Sequence, residues 1–262
     1  MTDHLLYVYG AVAPGFDASR APAGLDDAQV EVLPGGSFAA LLSRLPAAEY
    51  APERIEANSG EMEWVTPRAL AHDRVMTWAQ EHGGIIPMPM FSLWSGDAAI
   101  GKMLSSREAE LRRAFERVAG ADEYGLRIHR RDAEMLAHIH DLDPDIGALR
   151  RQADAAAPGQ KYLIERKIAE QSKQGIRAAS QRIAKEAYAA LEPLAREAVL
   201  RPLTPSSSAP ADTTLVLNAA FLVERARLDA FRAELTKHLR SAEPRGLAFD
   251  FTGPWPPYNF VG

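Results

Sequence analysis

Cysteine is absent from the 262-residue chain, which removes a disulfide framework, a thiolate nucleophile and a Cys-ligated zinc from consideration. An excess of positive charge is missing too: 30 Lys and Arg stand against 35 Asp and Glu, a formal net charge of −5. A nucleic-acid binder would carry a basic stripe instead. The longest apolar runs fall far short of the roughly 18–20 residues that a membrane helix needs. The opening Met-Thr-Asp-His-Leu-Leu-Tyr-Val-Tyr-Gly has no basic stretch followed by a long apolar run, so no secretory signal is expected. No Gly-x-Ser-x-Gly elbow supports a serine hydrolase. Together these absences predict a cytoplasmic protein without nucleic-acid or membrane partners.

What remains is an ordinary globular balance, 47% apolar and 25% charged, long enough for two domains. Leu5–Val12 combines Val8 and Val12 with Tyr7 and Tyr9, which favours a strand apolar on both faces and therefore central. Further strands are expected at Val30–Leu33 and Ser37–Leu42, around the turn signal Pro34-Gly35-Gly36. Residues 50–62 read as polar and irregular. Thr66-Pro67 opens a helix that carries Ala71, Val75, Trp78 and Ala79 to a stop at Gly83-Gly84. Ile85–Trp94 is apolar but interrupted by Pro87 and Pro89, hence an irregular or edge strand. A helix over Lys102–Val118 and a strand over Tyr124–His129 follow. This order predicts a first domain, residues 1–130, built as a ferredoxin-like α+β sandwich with helices on one face of the sheet.

The second half, 131–262, begins helical (131–201). Gln160–Arg201 is one long pattern with Ile168, Ile176, Ala179, Ile183, Ala187, Leu191 and Leu194 at three- and four-residue steps, the mark of a helical hairpin or extended helix. Gly175 weakens it and Pro193 ends or kinks it. Its apolar stripe needs a partner, either Met135–Leu149 or another protein. Residues 202–211 form a Pro/Ser linker. A small α+β part (212–252) places a strand at Thr214–Phe221, a helix with Leu228, Phe231, Leu235 and Leu239 on one face, and a strand with Leu247, Phe249 and Phe251.

The chain then runs into a Pro/aromatic tail (253–262). Pro254, Pro256 and Pro257 predict an extended, polyproline-like backbone with Trp255 and Tyr258 on one face. The apolar side chains of Pro254, Trp255, Pro256, Pro257, Tyr258 and Phe260 are expected to dock, either on the chain's own second domain or on a partner. Docking on its own core is the stronger expectation, since most aromatics serve their own fold.

This tail resembles the terminal signature of the GvpL/GvpF family of gas vesicle proteins. Other segments resemble the same family in the same order: Leu6-Tyr7-Val8-Tyr9-Gly10, Ala71-His72-Asp73, Gly159-Gln160-Lys161-Tyr162-Leu163 with Arg166, and Leu217-Asn218-Ala219-Ala220-Phe221-Leu222-Val223 with Phe231 beyond. One segment departs: after Pro87 the family commonly has a basic residue and then Phe-Gly, whereas here Met88-Pro89-Met90-Phe91-Ser92 stands. The resemblance implies two domains of α+β character. It also implies a non-enzymatic accessory role in building the gas vesicle, as an assembly factor and minor component that contacts the small shell-forming protein and other accessory proteins. A holdase for the shell subunit, absent from the finished vesicle, is the neighbouring reading.

Three segments could signal other chemistry. Gly96-Asp97-Ala98-Ala99-Ile100-Gly101-Lys102-Met103 nearly matches a phosphate loop after an apolar strand, which would make Lys102 the anchor of a nucleotide-dependent assembly factor. Met103, however, occupies the place of the hydroxyl that binds Mg²⁺. His138-Ile139-His140-Asp141 invites a metal, but on a helix the two histidines point apart, so a solvated face is expected. His72-Asp73 is an acid/base candidate at the polar edge of its helix. No cofactor, metal site or catalytic residue is expected.

Overall fold

The computed structural model describes residues 4–204 and 212–261. Two compact units emerge: the residues up to Glu123 together with those from Pro254 on, and the intervening Tyr124–Gly253. This division differs from the expected one at residue 130. The tail joins the first unit, because its side chains find their partners there.

The first unit opens with β1 (His4–Val12), β2 (Val30–Pro34) and β3 (Ala39–Pro46). Short helices α1 (Ala47–Tyr50) and α2 (Pro52–Asn58) fill the stretch expected to be irregular. Then come α3 (Met62–His82), β4 (Ile86–Pro87), β5 (Leu93–Trp94), α4 (Asp97–Ser106) and α5 (Glu108–Val118). β1 is central, as its two-sided apolarity requires. It pairs antiparallel with β3 on one side and with the short β4 and β5 on the other, while β2 edges β3. Pro87 and Pro89 keep β4 and β5 to two residues each, since proline cannot donate to a ladder.

Helices cover both faces of this sheet rather than one. Tyr7, Tyr9, Leu41 and Leu45 pack with Ala71, Val75, Met76 and Ala79 of α3 in one core. On the opposite parity, Phe38 stacks on Phe115 of α5 with ring centroids 5.2 Å apart. The helix expected over 102–118 is two helices, broken at Arg107 (φ −104, ψ 11).

The second unit starts within β6 (Ala121–Arg131), so the strand expected to close the first domain belongs to the second sheet. Helices α6 (Asp132–Ala137), α7 (Ile139–Leu142), α8 (Pro144–Ala155) and α9 (Pro158–Leu191) follow. After them come β7 (Glu197–Leu200), β8 (Thr213–Glu224), α10 (Leu228–Ala242) and β9 (Leu247–Trp255). The sheet order is β7-β8-β6-β9. Pro193 ends α9, as its missing N–H dictates, and the chain then forms β7 where helix was expected to continue. The expected linker falls mostly at 205–211, outside the described residues.

The apolar stripe of α9 finds its partner within the unit. Ile176, Ala179, Ile183 and Ala187 share a core with Ile139 and Ile146, with Phe221 of β8 and with Phe231 of α10. Gly175 is the point of close approach: a Cβ there would lie 2.8 Å from Ile146 Cδ1 and 3.2 Å from Ile139 Cδ1. The residue that weakens the helix as a helix is what lets α7 and α8 settle onto it. Asp143 caps α8 by accepting from the backbone N–H groups of Asp145 and Ile146, satisfying donors that have no intrahelical partner.

Candidate functional site

Residues 254–261 are held in the first unit by a sequence-specific set of contacts. Pro256 and Pro257 are buried and Phe260 is 2% exposed. The Glu123 carboxylate, itself in a residue only 4% exposed, accepts the backbone N–H of Asn259 at 2.9 Å and its side-chain amide N–H through the other oxygen. A charge so deeply buried is tolerated only when well hydrogen-bonded. The Tyr258 hydroxyl meets His72 Nε2 at 3.0 Å, and His72 Nδ1 meets the Tyr7 hydroxyl at 2.7 Å.

A neutral imidazole donates from one nitrogen and accepts at the other, and a tyrosine hydroxyl can take either part. Both contacts are thus satisfied without charge. Burial lowers the His72 pKa to about 4, because removal from water penalises the imidazolium. Burial likewise raises the Tyr7 and Tyr258 hydroxyls, with the carboxylates of Asp73 and Glu123 adding to the rise at Tyr258. His72 therefore does not sit at a polar edge as expected. It is 6% exposed, and its ring stacks on Tyr9 at 5.7 Å.

The backbone of the segment is not the extended repeat that three prolines suggested. Trp255 closes β9. Beyond it the Tyr258 N–H reaches Pro256 O at 2.7 Å and the Phe260 N–H reaches Pro257 O at 3.1 Å, two local turns that carry Asn259 to Glu123. Pro254 is exposed, Trp255 is half-buried, and Tyr258 is 44% exposed while its hydroxyl is engaged. Phe260 and Val261 border a groove of about 230 Å³ along α5, lined also by Glu110, Arg113, Ala114 and Arg117. Sequence reasoning missed Glu123, Asn259 and Tyr7 as parts of this site. The adjacent carboxylates Asp122-Glu123 entering an apolar strand were the available signal. Both are buried, and Asp122 accepts from Gln80 Nε2 at 3.0 Å.

A second polar cluster lies in the same unit. Tyr50 donates to Asp26 Oδ2. Arg68 donates to Tyr50 and to the same oxygen of Asp26, at 2.9 and 2.7 Å, and lies 4.2 Å over the Trp64 ring. The pair Asp26-Asp27 adopts left-handed φ values of 48° and 59°, a costly backbone for non-glycine residues that the Arg68 and Tyr50 contacts hold in place.

The other candidate segments lie on helices or at their ends. Residues 97–102 are the first turns of α4, with Gly96 extended before them and the Asp97 carboxylate near Arg44 at 3.3 Å. These residues form helix rather than a loop, and a carboxylate occupies the helix start. His138 caps the break between α6 and α7, His140 and Asp141 are exposed, and no group of three or more metal-ligating side chains occurs among the described residues. Among those residues, no helix is long and apolar enough to cross a membrane.

The sequence profile described as "Gas vesicle synthesis protein GvpL/GvpF" matches residues 5–262, both units and the docked segment alike. The chain belongs to the GvpL/GvpF family. It is 26% identical to gas vesicle protein L of Streptomyces sp. (strain CB03234) over 267 residues, covering 100% of this chain and 94% of the relative. It is 29% identical to gas vesicle protein F of the same strain over 259 residues, covering 97% and 98%. Among solved structures, GvpF from Anabaena sp. PCC7120 superposes with a TM-score of 0.72 at 20% identity, over 99% of this chain and 98% of that one. GvpF from Microcystis aeruginosa gives 0.68 at 16% identity over 100% of both. At such identity the likeness is one of fold. The mixed helix and sheet expected from the element order is what this chain shows, and it matches these GvpF structures in fold.

Two of the side chains that carried the family resemblance serve no core in this GvpL/GvpF chain: Tyr162 and Leu163, near the start of α9, are 67% and 64% exposed.

Proposed function

We propose that this chain is a non-enzymatic accessory protein of gas vesicle assembly, cytoplasmic and associated with the vesicle as a minor component. In this reading it acts by binding the small shell-forming gas vesicle protein and other accessory proteins. The observation that carries the reading is the family match across residues 5–262, with relatives named gas vesicle proteins L and F. The apolar, exposed Tyr162 and Leu163 support protein contact through the second unit, since large apolar side chains left in water gain most by being covered. The tail docks within its own chain, the stronger of the two expectations, though on the first unit rather than the second. Residues 256–260 are engaged within the chain, so in the resting protein they stabilise the first unit rather than offer a free surface.

Deletion of the gene in its own vesicle-forming host, with vesicles counted by electron microscopy, tests the role. Vesicles should disappear and return with the intact chain. Lys102→Ala should restore them equally, because residues 97–102 are helical rather than a glycine-rich loop. Normal vesicle numbers in the deletion strain, in the absence of a second family member, would defeat the assembly reading. Washed, purified vesicles probed for the chain separate a retained component from a holdase that leaves.

A further inference from the structure

We propose that the site formed by His72 and Glu123 in the first unit recognises the segment Pro256-Pro257-Tyr258-Asn259-Phe260, and that it accepts this segment from a second copy of the chain as well as from its own.

Three observations point there. First, consecutive residues of the segment are read one by one. Pro256 and Pro257 are buried, Phe260 is 2% exposed, the Tyr258 hydroxyl engages His72, and the Asn259 main chain and side chain share the Glu123 carboxylate. The last contact selects the residue type: an aspartate would oppose charge to charge, and an alanine would leave one carboxylate oxygen without this donor. Ordinary core packing asks only for apolar volume.

Second, the segment carries its own conformation. Two prolines restrict its backbone, and its turns are closed by its own hydrogen bonds, from Tyr258 to Pro256 and from Phe260 to Pro257. A peptide already shaped for its site gives up little freedom on docking.

Third, the segment follows directly on the exposed last stretch of β9. Gly253 has φ +117°, a backbone state reserved for glycine. Gly253 and Pro254 are both exposed. The groups that receive the segment, His72 and Glu123, lie 186 and 136 residues away from their partners in sequence, so nothing local obliges donor and receptor to share a chain.

A second copy presents the identical segment, and exchange replaces each contact by the same contact. The balance between own and exchanged segment then depends on concentration. A short tether holds the chain's own segment at an effective concentration on the order of millimolar. Exchange becomes competitive where copies are crowded to that level, and it links neighbours without a new interface.

The test uses the full chain with a specific protease site inserted between Gly253 and Pro254, folded intact and then cut. A fluorescent peptide of residues 254–262 should bind the cut protein saturably and displace the resident fragment. The same peptide with Asn259→Ala should bind about tenfold or more weakly, from the loss of a charge-assisted hydrogen bond. No peptide binding at millimolar concentration, with the near-ultraviolet circular dichroism of the cut protein unchanged, overturns the proposal. Should cutting unfold the protein, intact chains decide. Donor- and acceptor-labelled populations mixed near millimolar concentration should yield energy transfer that is lost again on dilution, and a species monomeric throughout overturns the proposal.

Discussion

Acidification should weaken this protein through one residue, His72. Its imidazole titrates at about 4 in the folded chain against an ordinary 6.5, because burial disfavours the charged form. Between those values the unfolded chain binds a proton that the folded chain refuses, so stability rises with pH across this window and falls as pH drops through it. The contribution is complete above roughly pH 6.5 and gone below roughly pH 4. Linkage with these two values gives a loss of roughly 2 kcal/mol between pH 7.5 and pH 5, out of roughly 3 kcal/mol in total. For a chain of this size that corresponds to a fall in melting temperature of about 4–8 °C. The groups facing the ring, Tyr7, Tyr9 and Tyr258, stay neutral in this range and leave the sign intact. Urea unfolding of the parent and of His72→Gln, at pH 7.5, 6.5, 5.5 and 5.0, isolates the effect. The variant loses stability at every pH but should show a slope flatter than the parent's, by about 2 kcal/mol over the range. Parallel slopes in the two proteins would refute the reasoning.

Other changes follow from packing and from ion pairs. Phe260→Ala removes a ring buried in the first unit and should cost about 3–5 kcal/mol in urea melts. Gly147→Ala would set a Cβ 2.5 Å from the backbone oxygen of His140, which cannot turn aside, and should cost about 1–3 kcal/mol. Gly175→Ala presses on the movable end of Ile146 and gains about 1 kcal/mol of helix propensity, so it should be the milder of the two in the same assay. Arg68→Lys keeps the charge but loses the planar stack on Trp64 and the fork shared between Tyr50 and Asp26. It should cost about 1 kcal/mol, read by thermal unfolding.

Patterns of local origin were legible in the sequence. β1 declared itself central by apolarity on both faces, and α9 by its three- and four-residue steps. The tail declared itself by composition. What sequence patterning missed was decided by distant partners. The docking of 256–260 rests on Glu123 meeting Asn259, a carboxylate 136 residues earlier, and no periodicity reports that. His72 read as an edge residue because histidine is polar. Tyr7 and Tyr258 supply the hydrogen bonds that allow it inside. The strand over 124–129 was found, but its sheet was misjudged, since a strand's own residues do not say which neighbours it will pair with. The break at Arg107 left no proline or glycine to mark it.

The discontinuous first unit also has a consequence for synthesis. Its structure needs residues from 254 on, yet about 130 residues of the second unit intervene. At roughly 5–20 residues per second, a ribosome delivers the closing segment about 7–26 s after Glu123 has been made. During that interval the Glu123 carboxylate, the Phe260 site and one side of His72 stand without the segment that covers them. The second unit, contiguous in the chain, can finish first. A nascent chain stalled before residue 254 therefore carries an unsealed first unit, and synthesis of residues 254–261 becomes the step that seals it.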